Sequence, residues 1–212
     1  MKHFAFVATV ALALLALPCN AVTIPYQNVG TTVPAYTVTA VNTGYIDAWF
    51  YGFSASDVDS IQVIDLTTNT ASGWFFQNDS TTAGQYQADV LAVNAGDSLE
   101  FQLQNITAAD VVSSVAADSP DGINHFYATP WTGGLIPTTA VNVPTAISGT
   151  PVTFLGAEDL TLGQSSDRDY NDDQFLFDNV QFDAPTPEPS SLYLLGSGLL
   201  GLAGLVRRKL RA

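Results

Sequence analysis

From residue 22 to residue 186 the chain alternates short apolar stretches with polar punctuation. No window sustains an apolar repeat of about 3.6 residues with capping signals at its ends. Stretches rich in β-branched and aromatic residues recur instead, bounded by Gly, Asn, Asp and Pro. They predict strands over 36–41, 45–53, 60–66, 73–77, 85–90, 98–104, 111–115, 123–128, 152–156 and 174–182. Within 98–104 the alternation is strict, with Leu99, Phe101 and Leu103 on one face. Residues 45–53 are apolar on both faces apart from Asp47, which predicts a central strand. Strands recurring about every ten residues predict an all-β fold, a β-sandwich of jelly-roll-like type. The Pro- and Thr-rich stretches 29–34 and 138–151 are expected as loops or edge strands, and no internal repeat is visible.

The two ends follow a different pattern. Lys2, an apolar run over 4–17 and the sequence Pro18-Cys19-Asn20-Ala21 read as a secretory signal peptide over residues 1–21, cleaved between Ala21 and Val22. At the other end, a linker over 184–191 carries Pro187-Glu188-Pro189. An uncharged, Leu- and Gly-rich segment follows over 192–206, then a basic tail over 207–212. As a helix, 192–206 covers about 22 Å, short of a hydrocarbon core of about 30 Å, so it reads as a minimal transmembrane helix. The basic tail is expected on the cytoplasmic side and the body outside.

The order Pro-Glu-Pro, short apolar span, basic end resembles the PEP-CTERM sorting signal. That resemblance implies that Pro187, Glu188 and Pro189 are read by an exosortase-type processing enzyme of a Gram-negative bacterium, which removes the tail. It implies an inner-membrane-anchored precursor, delivery to the cell surface or extracellular matrix, and a host that makes exopolysaccharide.

Charge narrows the function of the body. Of the 20 acidic groups only Glu188 lies outside residues 22–186, and of the 6 basic groups only Arg168 lies inside them. Such a surface repels phosphate backbones, so nucleic acid is excluded as a partner and phosphate-handling chemistry has little to hold a substrate. With 3 Trp, 12 Phe and 8 Tyr to bury, the chain is not disordered. Cys19 is the one cysteine, so cleavage after Ala21 leaves no thiol and no disulfide. The body keeps one histidine, His125, and no G-x-S-x-G around any serine, against a serine or zinc hydrolase. Paired carboxylates can hydrolyse glycosides, but the acidic residues here sit in turn-like contexts, and no enzymatic activity is expected. Trp49-Phe50-Tyr51, Trp74-Phe75-Phe76 and Trp131 either fill the core or stack on sugar rings. The second alternative makes the body a carbohydrate (exopolysaccharide)-binding module.

One stretch is dense in oxygen donors. Glu158-Asp159-Leu160 is followed, after a Gly-containing loop, by Asp167-Arg168-Asp169-Tyr170-Asn171-Asp172-Asp173. Carboxylates this close repel unless a hard cation sits among them, and Ca²⁺ takes six to eight oxygen ligands. Asp167, Asp169 and Asn171 fall at positions 1, 3 and 5 of a D-x-D-x-N loop and Asp178 at position 12, in partial imitation of an EF-hand. Asp172 stands where that loop requires Gly, and the segment that follows reads as a strand, so a calcium loop in a β-scaffold is expected. The competing reading is an acidic turn whose aspartates cap backbone N–H groups while Arg168 pairs with a neighbour.

Asp121-Gly122-Ile123-Asn124-His125, Phe154-Leu155-Gly156-Ala157-Glu158-Asp159-Leu160 and Asp167-Arg168-Asp169-Tyr170-Asn171-Asp172 together resemble a DUF4114-type domain over about 118–183. The chain departs from that pattern at Ala157, usually aromatic, and at Asp173-Gln174, usually apolar. The resemblance implies a non-enzymatic secreted or surface protein and suggests calcium binding. The candidate ligands it marks are Glu158, Asp159, Asp167, Asp169, Asn171 and Asp172, with Asp121 approaching from a neighbouring strand and His125 as a hydrogen-bonding support. Residues 22–117 and 118–183 are expected to form two parts of one sandwich, with a structural or adhesive role.

Overall fold

The computed structural model describes residues 30–183. Its strands are β1 (Thr37–Ala40), β2 (Gly44–Phe53), β3 (Asp59–Asp65), β4 (Thr70–Ala71), β5 (Tyr86–Val93), β6 (Leu99–Asn105) and β7 (Asp110–Ser113). They continue as β8 (Phe126–Pro130), β9 (Gly134–Leu135), β10 (Asn142–Val143), β11 (Ala146–Ile147), β12 (Thr150–Ala157), β13 (Asp173–Asp178) and β14 (Val180–Asp183). Two 3₁₀ turns, Ala116–Asp118 and Leu162–Gln164, are the helical elements among the described residues. The all-β expectation holds.

The larger sheet runs β11-β12-β13-β2-β5, with β8 also paired to β12, and the smaller runs β4-β3-β6-β7. β1 pairs with β14, and β9 with β10. Alternation decides what lies between the sheets. In β6, Leu99, Phe101 and Leu103 are buried, and in β3 Ile61 and Val63 match them across the register Ile61↔Leu103 and Val63↔Phe101. From the larger sheet, Ile46, Ala48, Phe50, Leu155, Phe175 and Phe177 join the same apolar cluster. Phe101 meets Phe177 edge-on with ring centroids 4.7 Å apart. Burying each such ring contributes about 1.5–3 kcal/mol, and the layered core is what ties the sheets together.

β2 lies between β13 and β5, as a strand apolar on both faces must. Its outer face, Trp49 and Tyr51, packs with Trp131, Ile136, Val143, Phe154 and Leu176. The segment after β8 therefore covers the outside of the larger sheet, and Trp131 Nε1 donates to the Val143 carbonyl at 2.9 Å to pin it.

Two predicted strands come out differently. Residues 73–77 form only one bridge, Ile61↔Phe75, because Phe76 turns into the left-handed region at φ 50°. The stretch 174–182 is broken at Asn179, whose φ is 57°. Its amide holds that turn by accepting from Asn42 N–H at 2.8 Å and donating to the Asn42 and Tyr45 carbonyls. The break lets β13 stay in the larger sheet while β14 crosses to β1.

The expected signal peptide, its cleavage point at Ala21 and Val22, the Pro187-Glu188-Pro189 motif and the segment 192–206 lie outside the described residues. Among the described residues no helix is long and apolar enough to cross a membrane.

Candidate metal centre

β12 ends on Ala157 and β13 begins on Asp173, and these two residues are register partners. The loop 158–172 therefore leaves and re-enters the larger sheet at one point. β2 ends beside it, with Phe53 opposite Asp173. The chain leaving β2 is fastened to the loop, since Ser54 and Ala55 N–H both donate to the Asp172 carbonyl, at 2.9 and 3.1 Å.

Within the loop, non-glycine residues take left-handed backbone at Ser165, Arg168 and Tyr170, with φ of 77°, 56° and 57°. Alternating hand at 168 and 170 sends Tyr170 inward and Asp167 and Asp169 the other way. Tyr170 is fully buried against Val33 and Tyr127. Its hydroxyl accepts from Val33 N–H at 3.1 Å and donates to the Thr31 carbonyl at 3.2 Å. Asp167 and Asp169 each accept the N–H two residues on, from Asp169 and Asn171. The backbone is held in this shape by local bonds and one aromatic anchor, which repay the strain of left-handed residues.

The result is convergence of carboxylates. Glu158, Asp159 and Asp172 each bring an oxygen to within 4.8 Å of the others, and so do Glu158, Asp167 and Asp169. Glu158 belongs to both groups. Glu158, Asp159, Asp167 and Asp172 line a groove of about 200 Å³ closed on its other side by Ser54, Ser56 and Asp57. Glu158 is 2 % exposed and Asp159 3 %. Glu158 Oε2 is buried and has no hydrogen-bond partner. Burial and the charge of Asp172 push the Glu158 carboxyl up to about 7. Burial, Asp172 and Asp59 push Asp159 up to about 9, and Asp172 is raised by burial as well. No Lys or Arg forms an ion pair among the described residues, Arg168 included.

Five of the sequence-marked residues thus come together: Glu158, Asp159, Asp167, Asp169 and Asp172. Asn171 stands beside them, its carboxamide held between Ser54 Oγ and Asp169. Asp121 stands outside these two groups and meets the loop through hydrogen bonds instead. Its Oδ1 takes His125 Nε2 at 3.0 Å and its Oδ2 the Leu162 N–H at 2.9 Å. Burial opposes ionisation of Asp121, but these bonds outweigh it and its carboxyl is lowered. His125, fully buried, ties the segment to the loop through Nδ1 and the Glu158 carbonyl at 3.1 Å. Asp178, at position 12 of the imitated EF-hand, sits at the far end of β13 and accepts from Asp47 N–H at 2.7 Å. A straight strand cannot bring it back to the loop.

Sequence reasoning missed part of the surroundings. Asp57 enters from the β2–β3 connection, where Asn105 Nδ2 donates to it at 2.8 Å. Asp59 and Asp173 lie deeper, both with no exposed surface. Burial and neighbouring carboxylates raise Asp59 to about 6 and hold Asp173 well above the ordinary range. One signal was present: Asp59 is in phase with Ile61 and Val63, and Asp173 with Phe175 and Phe177, so both carboxylates fall on inward faces.

Chemically, the donor set is oxygen only: carboxylates, hydroxyls and backbone carbonyls. That set suits a hard divalent cation and suits zinc or copper poorly. The aromatic residues considered for sugar stacking are otherwise engaged, since Trp49, Tyr51 and Trp131 fill the outer-face cluster and Phe50 and Phe76 the inter-sheet core. Trp74, 40 % exposed, is the one tryptophan of the described residues left at the surface.

A search of curated proteins finds no match to this chain. A family model described as the PEP-CTERM protein-sorting motif matches residues 185–209, over the Pro-Glu-Pro tripeptide, the apolar segment and the basic end. The chain therefore carries an exosortase sorting signal: it is an extracellular or cell-surface protein, exported as a membrane-anchored precursor that is then processed.

Proposed function

We propose that the body is a non-enzymatic structural or adhesive protein of the extracellular matrix, and that a calcium ion fixes its 158–172 loop. The observation that carries this reading is Glu158 Oε2, a buried acceptor with no donor, facing other carboxylates that no basic group neutralises. An unmet buried acceptor of this kind costs about 1–3 kcal/mol, and more when charged. A bound cation supplies the positive charge that lets these groups ionise together. Glu158, Asp159, Asp167, Asp169 and Asp172 hold it, while Tyr170 and His125 keep the loop in place. The three segments of the DUF4114-type resemblance support the same reading, because His125 hydrogen-bonds both Asp121 and Glu158, and Asp159 N–H donates to Asp172 Oδ2 at 3.2 Å.

The absence of an enzymatic role is supported by the same geometry. The groove is lined by carboxyl and hydroxyl groups without an aromatic platform. Both ring nitrogens of His125 are engaged within the fold, leaving no imidazole among the described residues to act as a base. Calorimetry of the purified protein against Ca²⁺ tests the reading. Binding at about 10⁻⁴–10⁻³ M, the range of extracellular modules, with protection of the loop from protease, is expected. No heat together with an unchanged melting temperature removes it.

A further inference from the structure

Where β2 ends, a cavity of about 320 Å³ opens beneath the turn at 137–138. Its walls include Tyr51 and Phe53 of β2, Ala83, Pro137, Thr138, and Gln174 near the start of β13. That volume lies at the small end of the roughly 300–1,000 Å³ of ligand pockets. The outer wall is fixed in place: Gly84 lets the covering segment close in, since a Cβ there would lie 2.9 Å from Val141 Cγ2. The Phe53 ring packs against Phe50 with centroids 6.2 Å apart and still leaves Phe53 47 % exposed. The register with β2 shifts between Gln174 and Phe175, a kind of irregularity that re-aims side chains. Gln174 Nε2 donates to the Asn171 carbonyl at 2.9 Å, which orients the amide and leaves Oε1 to accept.

Charge selects the kind of ligand. The body around the cavity is strongly acidic, yet among the described residues no charged side chain lines it. An anionic ligand is repelled by the body, and a cationic one finds no carboxylate in the cavity to pair with. A neutral ligand remains. The walls combine an exposed aromatic ring with an amide oxygen and a threonine hydroxyl at the rim. A pyranose ring is the matching shape: its C–H face is apolar enough to lie on a phenyl ring, and its edge carries hydroxyl donors and acceptors. The geometry points to a binding site for a sugar unit of a neutral polysaccharide, with Phe53 as the stacking platform and Gln174 Oε1 accepting from a ring hydroxyl. The site goes beyond the loop reading, since strand ends and the 137–138 turn build it and no ion enters it. It gives an adhesive body something to hold.

A printed array of neutral and uronate-bearing oligosaccharides, probed with the full protein in calcium buffer, tests the site. Binding to neutral oligosaccharides is expected, lost in Phe53→Ala, kept in Phe53→Trp and weakened in Gln174→Ala. Binding to none of the array, or to uronate-bearing members in preference, overturns the proposal. Neutral binding that is unchanged in both Phe53→Ala and Gln174→Ala places the sugar elsewhere and overturns it too. Should Phe53→Ala fail to fold, hydrogen exchange of the wild type with a bound oligosaccharide decides. Protection over 50–53 and 137–138 supports the cavity, and protection confined to other segments contradicts it. Calcium calorimetry judges the loop separately, so either reading can fail while the other stands.

Discussion

Strand β3 begins and ends on an aspartate, and both Asp59 and Asp65 have no exposed surface. Their surroundings differ completely. Asp65 accepts from Thr67 N–H, Thr68 N–H and Thr68 Oγ1 at 2.8, 3.1 and 2.7 Å. Burial works to raise its carboxyl, the Thr68 and Thr67 bonds outweigh that, and it is lowered. Asp59 finds only Asn78 and stands beside other carboxylates, so it is raised to about 6. Burial of an acid is therefore not the mark of a site. At one end of the core the turn supplies several donors, and at the other one amide is shared between two carboxyl groups.

The comparison can be broken most forcefully at its satisfied end. Asp65→Ala strands several donors and is expected to cost about 2–3 kcal/mol, equally in calcium and in chelator, by denaturant unfolding. A calcium-dependent loss would erase the distinction between the two ends. Next in size is calcium itself. At 10 to 100 times a dissociation constant, one ion adds about 1.4–2.7 kcal/mol. For a domain of this size that raises the melting temperature by about 3–10 °C. Removing Asp172 as Asp172→Asn should abolish most of that rise.

A smaller effect changes sign. Glu158→Gln removes a buried charge without an acceptor's partner, so in chelator it is expected to leave stability unchanged or raise it by about 1 kcal/mol. In calcium the same variant should be less stable than the wild type. Destabilisation of equal size in both conditions contradicts the loop site.

The broadest effect is the dependence on pH. Glu158 and Asp159 have folded values of about 7 and about 9, above their ordinary 4.5 and 3.8. The stability linked to their protonation is complete below the ordinary values and is lost as pH rises through the folded ones. Metal-free protein should melt progressively lower from about pH 5 to pH 9, and calcium should flatten that slope. A melting temperature that rises with pH in chelator contradicts the shifts.

Much of this was legible in the chain. The strict alternation of 98–104 and the two-faced apolarity of 45–53 located β6 and β2 because each pattern reports burial directly. The run from Glu158 to Asp172 was visible because its donors are contiguous. Asp57, Asp59 and Asn78 were not, since each reaches the site from another strand end and their meeting depends on how the two sheets stack. The partners of Asp121 were not legible for the complementary reason. Its neighbours His125 and Leu162, which consume its oxygens, are a matter of loop packing that spacing does not encode. Likewise the aromatics of 131 and 49–51 could be assigned to core or surface only once the segment after β8 was seen to cover the larger sheet.

An ion is held to replace the donor missing at Glu158 Oε2, and anomalous diffraction from calcium-soaked crystals is the sharpest test. A peak is expected about 2.3–2.6 Å from oxygens of Glu158 and Asp172. A map in which those carboxylates turn outward to solvent, with no density between them, would contradict it.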